Sequence, residues 1–311
     1  MLNFYPSSEH PLWIDLFNPT DSETQSIAKA LDIEVPARAD LEAIESSSRL
    51  QSEGAWIRVS TPVSAHGEYE GTTPVGFVLS PKVLVTVRYT ELQAFDATAK
   101  ACNKSEHPLT GSAEVFASLI EGMIDYGADM LEQIGNTLNT LSSNVFHEYR
   151  TQKSRSIRRK NRELKGALLE IGSSGNRLSQ IREALLGLQR IIPFVSEKAK
   201  GWAKPEVQAR LKTVSGDLVS LADFEVHLSN KIQFLLDATL GFINTEQNDI
   251  FKVLTIVTVV GIPPTFFASM WGMNFHDMPE YSWSFGYEFG LFVIIVSTLV
   301  PIIWFKWRGW W

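Results

Sequence analysis

A short polar stretch, WGMNFHDMPE at positions 271–280, interrupts the most apolar part of the chain with groups that suit a cation. It holds an amide, an imidazole and two carboxylates, but no lysine or arginine. His276 and Asp277 are neighbours in a loop, and adjacent loop residues rarely converge on one ion, so a local zinc site is not favoured. The carboxylates of Asp277 and Glu280 instead predict a negative field that concentrates divalent cations, with a merely solvated loop as the alternative.

A second polar set precedes this stretch and recurs mostly at alternating steps of three and four, which places its members on one helix face. Seven of its nine members are polar, and the full set is Asp237, Asn244, Asn248, Phe251, Thr255, Thr258, Ile262, Thr265 and Ser269. We call this face the polar stripe. Polar groups at membrane depth must face protein or water, so the stripe predicts either helix–helix contacts or the wall of a pore. A wall of hydroxyls and amides can hydrogen-bond the water shell of Mg²⁺, which dehydrates reluctantly.

Two apolar runs must position these groups, and each is long enough to cross a hydrocarbon core of roughly 30 Å. We predict a first transmembrane helix over 250–271, an external loop over 272–284 and a second transmembrane helix over 285–305. Lys306 and Arg308 follow in a basic-aromatic tail, 306–311, whereas the loop has no lysine or arginine, so both termini are expected in the cytoplasm. Two spans cannot enclose a path, and a pore therefore requires a homo-oligomer within the lipid bilayer.

The rest of the chain predicts a cytoplasmic domain and a helical stalk. Residues 1–110 read as α+β. PLWIDLFNPT predicts a strand followed by a turn, and EGAWIRVSTPV, TTPVGFVLS and KVLVTVRY predict further strands. DSETQSIAKAL predicts a helix capped by Asp21 or Ser22. Helical periodicity dominates residues 111–249. The last stalk helix is predicted to start at Pro205 and to continue to Trp271, a length of about 100 Å. A net charge of −7 argues against nucleic-acid binding.

The outer stretch and its placement resemble the CorA-type magnesium and cobalt transporters. GMN directly follows the first span, MPE begins four residues beyond its asparagine, and a second span and a basic-aromatic tail follow. The resemblance continues through GFINTEQNDIFKVLTIVTVVGIPPTF. It implies a homopentameric funnel in the bacterial inner membrane that admits Mg²⁺, and also Co²⁺ and Ni²⁺, down their electrochemical gradients.

The resemblance also implies roles for particular residues. A ring of Gly272, Met273 and Asn274 would bind the hydrated ion at the outer mouth, and Leu254 and Ile262 would form apolar constrictions. Asp237, Asn248 and Thr265 match pore-lining positions that already belong to the polar stripe. The family also uses cytoplasmic Mg²⁺ as a brake, for which Asp217, Asp223 and Glu225 are candidate ligands.

Two other functions stay open at this point. A zinc transporter of the ZntB branch has the same architecture, although that branch typically departs from the methionine of GMN. A membrane-anchored scaffold would have no need of a polar stripe. An enzyme is not predicted, because the chain has no G-x-x-x-x-G-K-[ST], H-E-x-x-H or G-x-S-x-G motif. No cofactor is expected besides transported and regulatory Mg²⁺.

Overall fold

The computed structural model describes the chain except residues 8, 44, 46–48, 65–70, 104–108, 152–156, 274–277 and 311, and it leaves the side chains of 147–151, 157–161 and 281 undescribed. The strands are β1 Leu2–Tyr5, β2 Trp13–Phe17, β3 Leu50–Glu53, β4 Trp56–Ser64, β5 Thr72–Leu79 and β6 Leu84–Arg88. The helices are α1 Asp21–Leu31, α2 Arg38–Leu41, α3 Gln93–Cys102, α4 Ser112–Thr151, α5 Ile157–Lys198, α6 Pro205–Trp271 and α7 Gly286–Trp307. A 3₁₀ turn covers Pro279–Ser282.

The chain divides into two units. The first contains residues 1–151 and 167–236, and the second contains residues 152–166 and 237–311. Helix α6 is continuous and contributes to both units.

One six-stranded sheet forms the centre of the first unit, with the order β1-β2-β6-β5-β4-β3. β2 and β6 pair in parallel, and every other neighbouring pair is antiparallel. Alternation along β2 sends Ile14 and Leu16 to one face, where they pack with Ile27 of α1 and Leu41 of α2. The sheet is therefore covered by α1 and α2 on that face.

Aromatic packing covers the opposite face of the sheet. Trp13 of β2 lies 5.7 Å from Phe95 of α3, and Phe77 of β5 lies 5.5 Å from Phe116 of α4, measured between ring centroids. All four side chains are buried. The sheet is thus a middle layer between helices, an arrangement that buries both of its faces.

Polar and apolar contacts join α4 and α6 within the first unit. Arg210 of α6 makes a bidentate ion pair with Glu121 of α4, with nitrogen–oxygen distances of 2.8 and 2.6 Å. Nearer the other end of α4, the rings of Phe146 and Phe234 stack 5.8 Å apart. These contacts, together with buried leucines such as Leu131, tie the first part of α6 to α4.

The predicted fold class of an α+β domain, long helices and two apolar C-terminal helices is confirmed, as is the start of α6 at Pro205. The predicted cap of α1 is wrong by one or two residues. Thr20, rather than Asp21 or Ser22, is the N-cap, because its hydroxyl accepts from the Glu23 amide while the Glu23 carboxylate accepts from the Thr20 amide.

Candidate ion pathway

The polar stripe lies on one face of α6, and all of its members are exposed in the single chain. An 18-residue window of α6 and one of α7 are apolar enough to cross a membrane, and none of the α6 window is buried within the chain. Leu254 is exposed beside the stripe at one helix turn from Thr258. Among the described residues, this face of α6 therefore stays uncovered along the apolar window.

Threonine hydroxyls of the stripe donate to the backbone of their own helix. Thr255 bonds the carbonyl of Phe251 at 2.8 Å, Thr258 bonds that of Leu254 at 2.8 Å, and Thr265 bonds that of Gly261 at 2.7 Å. Each hydroxyl has one hydrogen and two lone pairs, so this bond uses the only hydrogen. The oxygens are left exposed as acceptors.

Two prolines interrupt the hydrogen-bond ladder of α6 without ending the helix. Pro263 and Pro264 lack amide hydrogens, so the carbonyls of Val259 and Val260 have no i+4 amide to accept from. These carbonyls lie at the depth of Thr258 and Ile262. The helix thereby gains further backbone acceptors between two members of the stripe.

The end of α6 is held to the start of α7 by aromatic packing in the second unit. Trp271 lies 5.9 Å from Phe267 and 6.4 Å from Phe289, and Trp283 lies 5.6 Å from Phe289. Gly290 passes directly beside the Trp271 ring, where an added Cβ would lie 3.7 Å from its carbons. This cluster fixes where the chain leaves α6 and enters the loop.

The first two residues of the GMN motif follow this cluster. The Gly272 amide donates to the Ala268 carbonyl at 3.0 Å, and the Met273 amide reaches the Met270 carbonyl at 3.4 Å. Asn274, His276 and Asp277 lie outside the described residues. A cavity of about 710 Å³ opens beside Gly272 and is lined in part by Glu280 and Glu288.

The three candidate regulatory carboxylates differ in exposure. Asp217 and Asp223 are exposed on α6, whereas only 4% of Glu225 is exposed and its carboxylate lies 3.7 Å from Arg182 of α5. The burial of Glu225 was not predicted, although its position seven residues after Leu218 and three before Leu228 places it on the buried face. Among the described residues, no three His, Cys, Asp or Glu side chains converge on one point.

Comparison with known proteins identifies the family. The family model of the CorA-like Mg²⁺ transporter protein matches residues 8–307. A magnesium transport protein CorA from Sodalis glossinidius is 32% identical over 302 residues, covering 96% of this chain and 92% of that protein. The figures are the same for the protein of that name from Escherichia coli K12.

The fold comparison agrees. The complete structure of the CorA magnesium transporter from Methanocaldococcus jannaschii superposes with a TM-score of 0.73 at 18% identity, covering 96% of this chain and 91% of that one. The sequence match and the shared fold span the sheet domain, the long helices and both apolar helices. The chain therefore belongs to the family of CorA-like Mg²⁺ transporters.

Proposed function

We propose that the chain transports Mg²⁺, and also Co²⁺ and Ni²⁺, across the bacterial inner membrane down their electrochemical gradients. The observation that carries this proposal is the polar stripe, which stays exposed along a membrane-length window that is otherwise apolar. The relatives named as magnesium transport proteins support Mg²⁺ as the main cargo.

The hydrogen bonding of the stripe suits a hydrated cation. Water bound to Mg²⁺ directs its hydrogens outward, so the surrounding wall must offer acceptors. Thr258 and Thr265 offer oxygens whose own hydrogens already bond the helix backbone. A wall of this kind lets the ion keep its water shell, which Mg²⁺ releases reluctantly.

The pathway is formed by several copies of the chain, as a homopentamer. Two spans per chain are too few to surround a path. The first unit also exposes large apolar side chains on α6, including Val219, Val226 and Phe234. Apolar surface of this kind on a helix that leads into the membrane favours packing against another copy.

Ion flux into liposomes that contain the purified full-length protein tests the proposal. Mg²⁺, Co²⁺, Ni²⁺ and Zn²⁺ are compared with and without a proton gradient. Thr258→Val keeps the side-chain shape but removes the acceptor from every copy, and a lost hydrogen bond to a charged group is worth about 1.5–3 kcal/mol. We expect Mg²⁺ flux to fall at least about tenfold, and Thr258→Ser to retain most of it.

Thr298→Val is the matched control. Thr298 lies in α7, and its hydroxyl bonds its own helix at 2.9 Å as Thr258 does, but it is not on the stripe. If Thr258→Val and Thr298→Val reduced Mg²⁺ flux equally, the proposal that Thr258 lines the pore would be refuted. Zn²⁺ flux without Mg²⁺ flux would favour the zinc transporter, and no flux of any ion would favour the scaffold.

We propose that both termini lie in the cytoplasm. The support is Lys306 and Arg308 at the C-terminal end of α7, against a loop with no lysine or arginine. A cysteine replacing Glu280 in a Cys102→Ser background should react with an impermeant thiol reagent outside intact cells. Labelling that requires cell lysis would reverse the orientation.

We propose that Asn274, with Gly272 and Met273, forms the ring that receives the hydrated ion. The support is the match of GMN to the family motif directly after α6. Asn274→Ala should abolish growth of a Mg²⁺-auxotrophic strain on low Mg²⁺ while the oligomer still assembles in detergent. Full growth with an assembled Asn274→Ala variant would place the ring elsewhere.

We propose that cytoplasmic Mg²⁺ closes the pathway by bridging copies of the chain through Asp217 and Asp223, with Glu225 as the third candidate. Asp217 and Asp223 are exposed and can be reached by an ion, whereas Glu225 already lies beside Arg182. Asp217→Asn with Asp223→Asn should make flux less sensitive to internal Mg²⁺. An unchanged inhibition curve would remove both residues from the regulatory site.

A further inference from the structure

A hydrogen-bonded turn ends α7. The Gly309 amide donates to the Lys306 carbonyl at 3.2 Å, and the Trp310 amide donates to the Phe305 carbonyl at 3.1 Å. Gly309 has φ +72°, a left-handed conformation that glycine adopts without strain. These two bonds and this conformation define a Schellman motif, which satisfies carbonyls at the end of a helix.

The turn folds one tryptophan back onto the helix. The rings of Trp310 and Phe305 lie 5.5 Å apart, and only 1% of Phe305 is exposed. An apolar contact between these two positions commonly accompanies a Schellman motif. The residues after the apolar run are therefore not a loose tail but a folded cap on the end of α7.

The cap presents aromatic rings and positive charges together. The exposed fractions are 46% for Trp304, 83% for Trp307 and 43% for Trp310. Lys306 and Arg308 are exposed among them. We call these five residues the tail surface.

The two cations of the tail surface have no carboxylate partner in the part of the chain that the structure describes. The Arg308 guanidinium lies 5.7 Å from the centre of the Trp304 ring, which is a cation–π distance. Lys252, near the start of the apolar run of α6, differs because it pairs with Asp249 at 3.0 Å. Lys306 and Arg308 thus keep their charge available for an anion.

We infer that the tail surface binds the headgroup phosphate of an acidic phospholipid. Tryptophan rings favour the boundary between hydrocarbon and water, and the tail surface continues directly from a helix long enough to cross that hydrocarbon. Anionic lipid attracts lysine and arginine at this depth. The inference rests on α7 crossing the membrane, which is part of the proposed function, but not on which ion is transported.

Lipid binding to the purified full-length protein tests this inference. The probes are dioctanoyl phosphatidylglycerol, dioctanoyl phosphatidylcholine and inorganic phosphate, and the dissociation constants come from mass spectrometry of the intact protein. We expect tighter binding of phosphatidylglycerol. The double variant Lys306→Gln with Arg308→Gln should weaken that binding about 25-fold, at about fivefold for each charge.

Two further comparisons make the result specific. Lys252→Gln is the matched control and should leave phosphatidylglycerol binding unchanged, because Lys252 is already paired. Gly309→Val should weaken the binding because a β-branched residue is strained at positive φ, whereas Gly309→Asn should preserve it. The inference would be overturned if the two lipids bound with equal affinity, or if the double variant bound phosphatidylglycerol as tightly as the parent. It would also be overturned if inorganic phosphate bound the tail surface as tightly as phosphatidylglycerol. Ion flux does not enter this measurement, so a chain that binds lipid but transports no Mg²⁺ would refute the proposed function alone.

Discussion

The buried ion pair between β2 and β6 provides a quantitative test of how the cytoplasmic sheet is held together. Arg88 donates to both carboxylate oxygens of Asp15 at 2.9–3.2 Å, and 7% of Arg88 and 1% of Asp15 are exposed. The guanidinium lies between two rings, 4.7 Å from the centre of Phe17 and 4.9 Å from that of Phe95. The carboxylate also accepts a 2.8 Å bond from Thr86.

Asp15→Asn keeps this shape but leaves the Arg88 charge buried without a counter-ion. Breaking a buried pair from one side costs about 3–5 kcal/mol. In a unit of 150–250 residues each kcal/mol lowers the melting temperature by about 2–4 °C, so we expect a fall of about 6–20 °C. Thermal unfolding of the full-length protein in detergent, followed by circular dichroism, measures the change.

Glu42→Gln is the control for this prediction, because it makes the same chemical change in the exposed pair of Glu42 and Arg38. An exposed pair is worth at most about 1 kcal/mol, so the melting temperature should fall by less than about 4 °C. If Asp15→Asn and Glu42→Gln lower it equally, the buried pair does not have the role assigned to it.

Three further predictions concern the same unit. Burial tends to raise the pKa of Glu114, but hydrogen bonds from Lys204 and Thr110 outweigh this effect and lower the pKa below its ordinary value. Glu114→Gln should therefore destabilise the protein at pH 7 by less than about 1 kcal/mol, and the difference in melting temperature from the parent should shrink as the pH falls through that lowered pKa. Gly187→Ala should lower the melting temperature by an amount equivalent to about 1–3 kcal/mol, because a Cβ there overlaps Thr61 of β4, whereas Gly216→Ala, in open space, should not. Burial raises the pKa of the Cys102 thiol to about 11, so a maleimide at pH 7.5 should label it only after denaturation, and rapid labelling of the folded protein would contradict its burial.

The parts of the fold that the sequence predicts are those that carry their own signal. Strands β4, β5 and β6 are long enough to show β-branched alternation, and Pro205 marks the start of α6. The short strands β1 and β3 were not predicted. Each has four residues at an edge of the sheet, so each is defined by the strand it pairs with rather than by its own pattern.

Two further local features have a signal in the sequence. Thr20 and Glu23 have the spacing of a capping box, which would have placed the start of α1 correctly. Glu225 follows the spacing of the buried leucines on α6, which predicts that it faces α5 rather than solvent. In the proposed homo-oligomer, the residues that face the polar stripe belong to other copies of the chain, so no pattern within one chain specifies them.

The stripe threonines that donate to their own helix backbone bear on the choice between helix–helix contacts and a pore wall. A threonine that bonds its own backbone leaves no unsatisfied hydrogen, so Thr255, Thr258 and Thr265 can sit in an apolar span at little cost when no ion is present. The same bond leaves the hydroxyl oxygen as an acceptor, which a hydrated cation can use when it arrives. In the proposed pathway these acceptors alternate with Leu254 and Ile262, which exclude water when the pathway is empty. A stripe of donors at the same positions would have to be satisfied by a neighbouring helix, and that helix would then close the path.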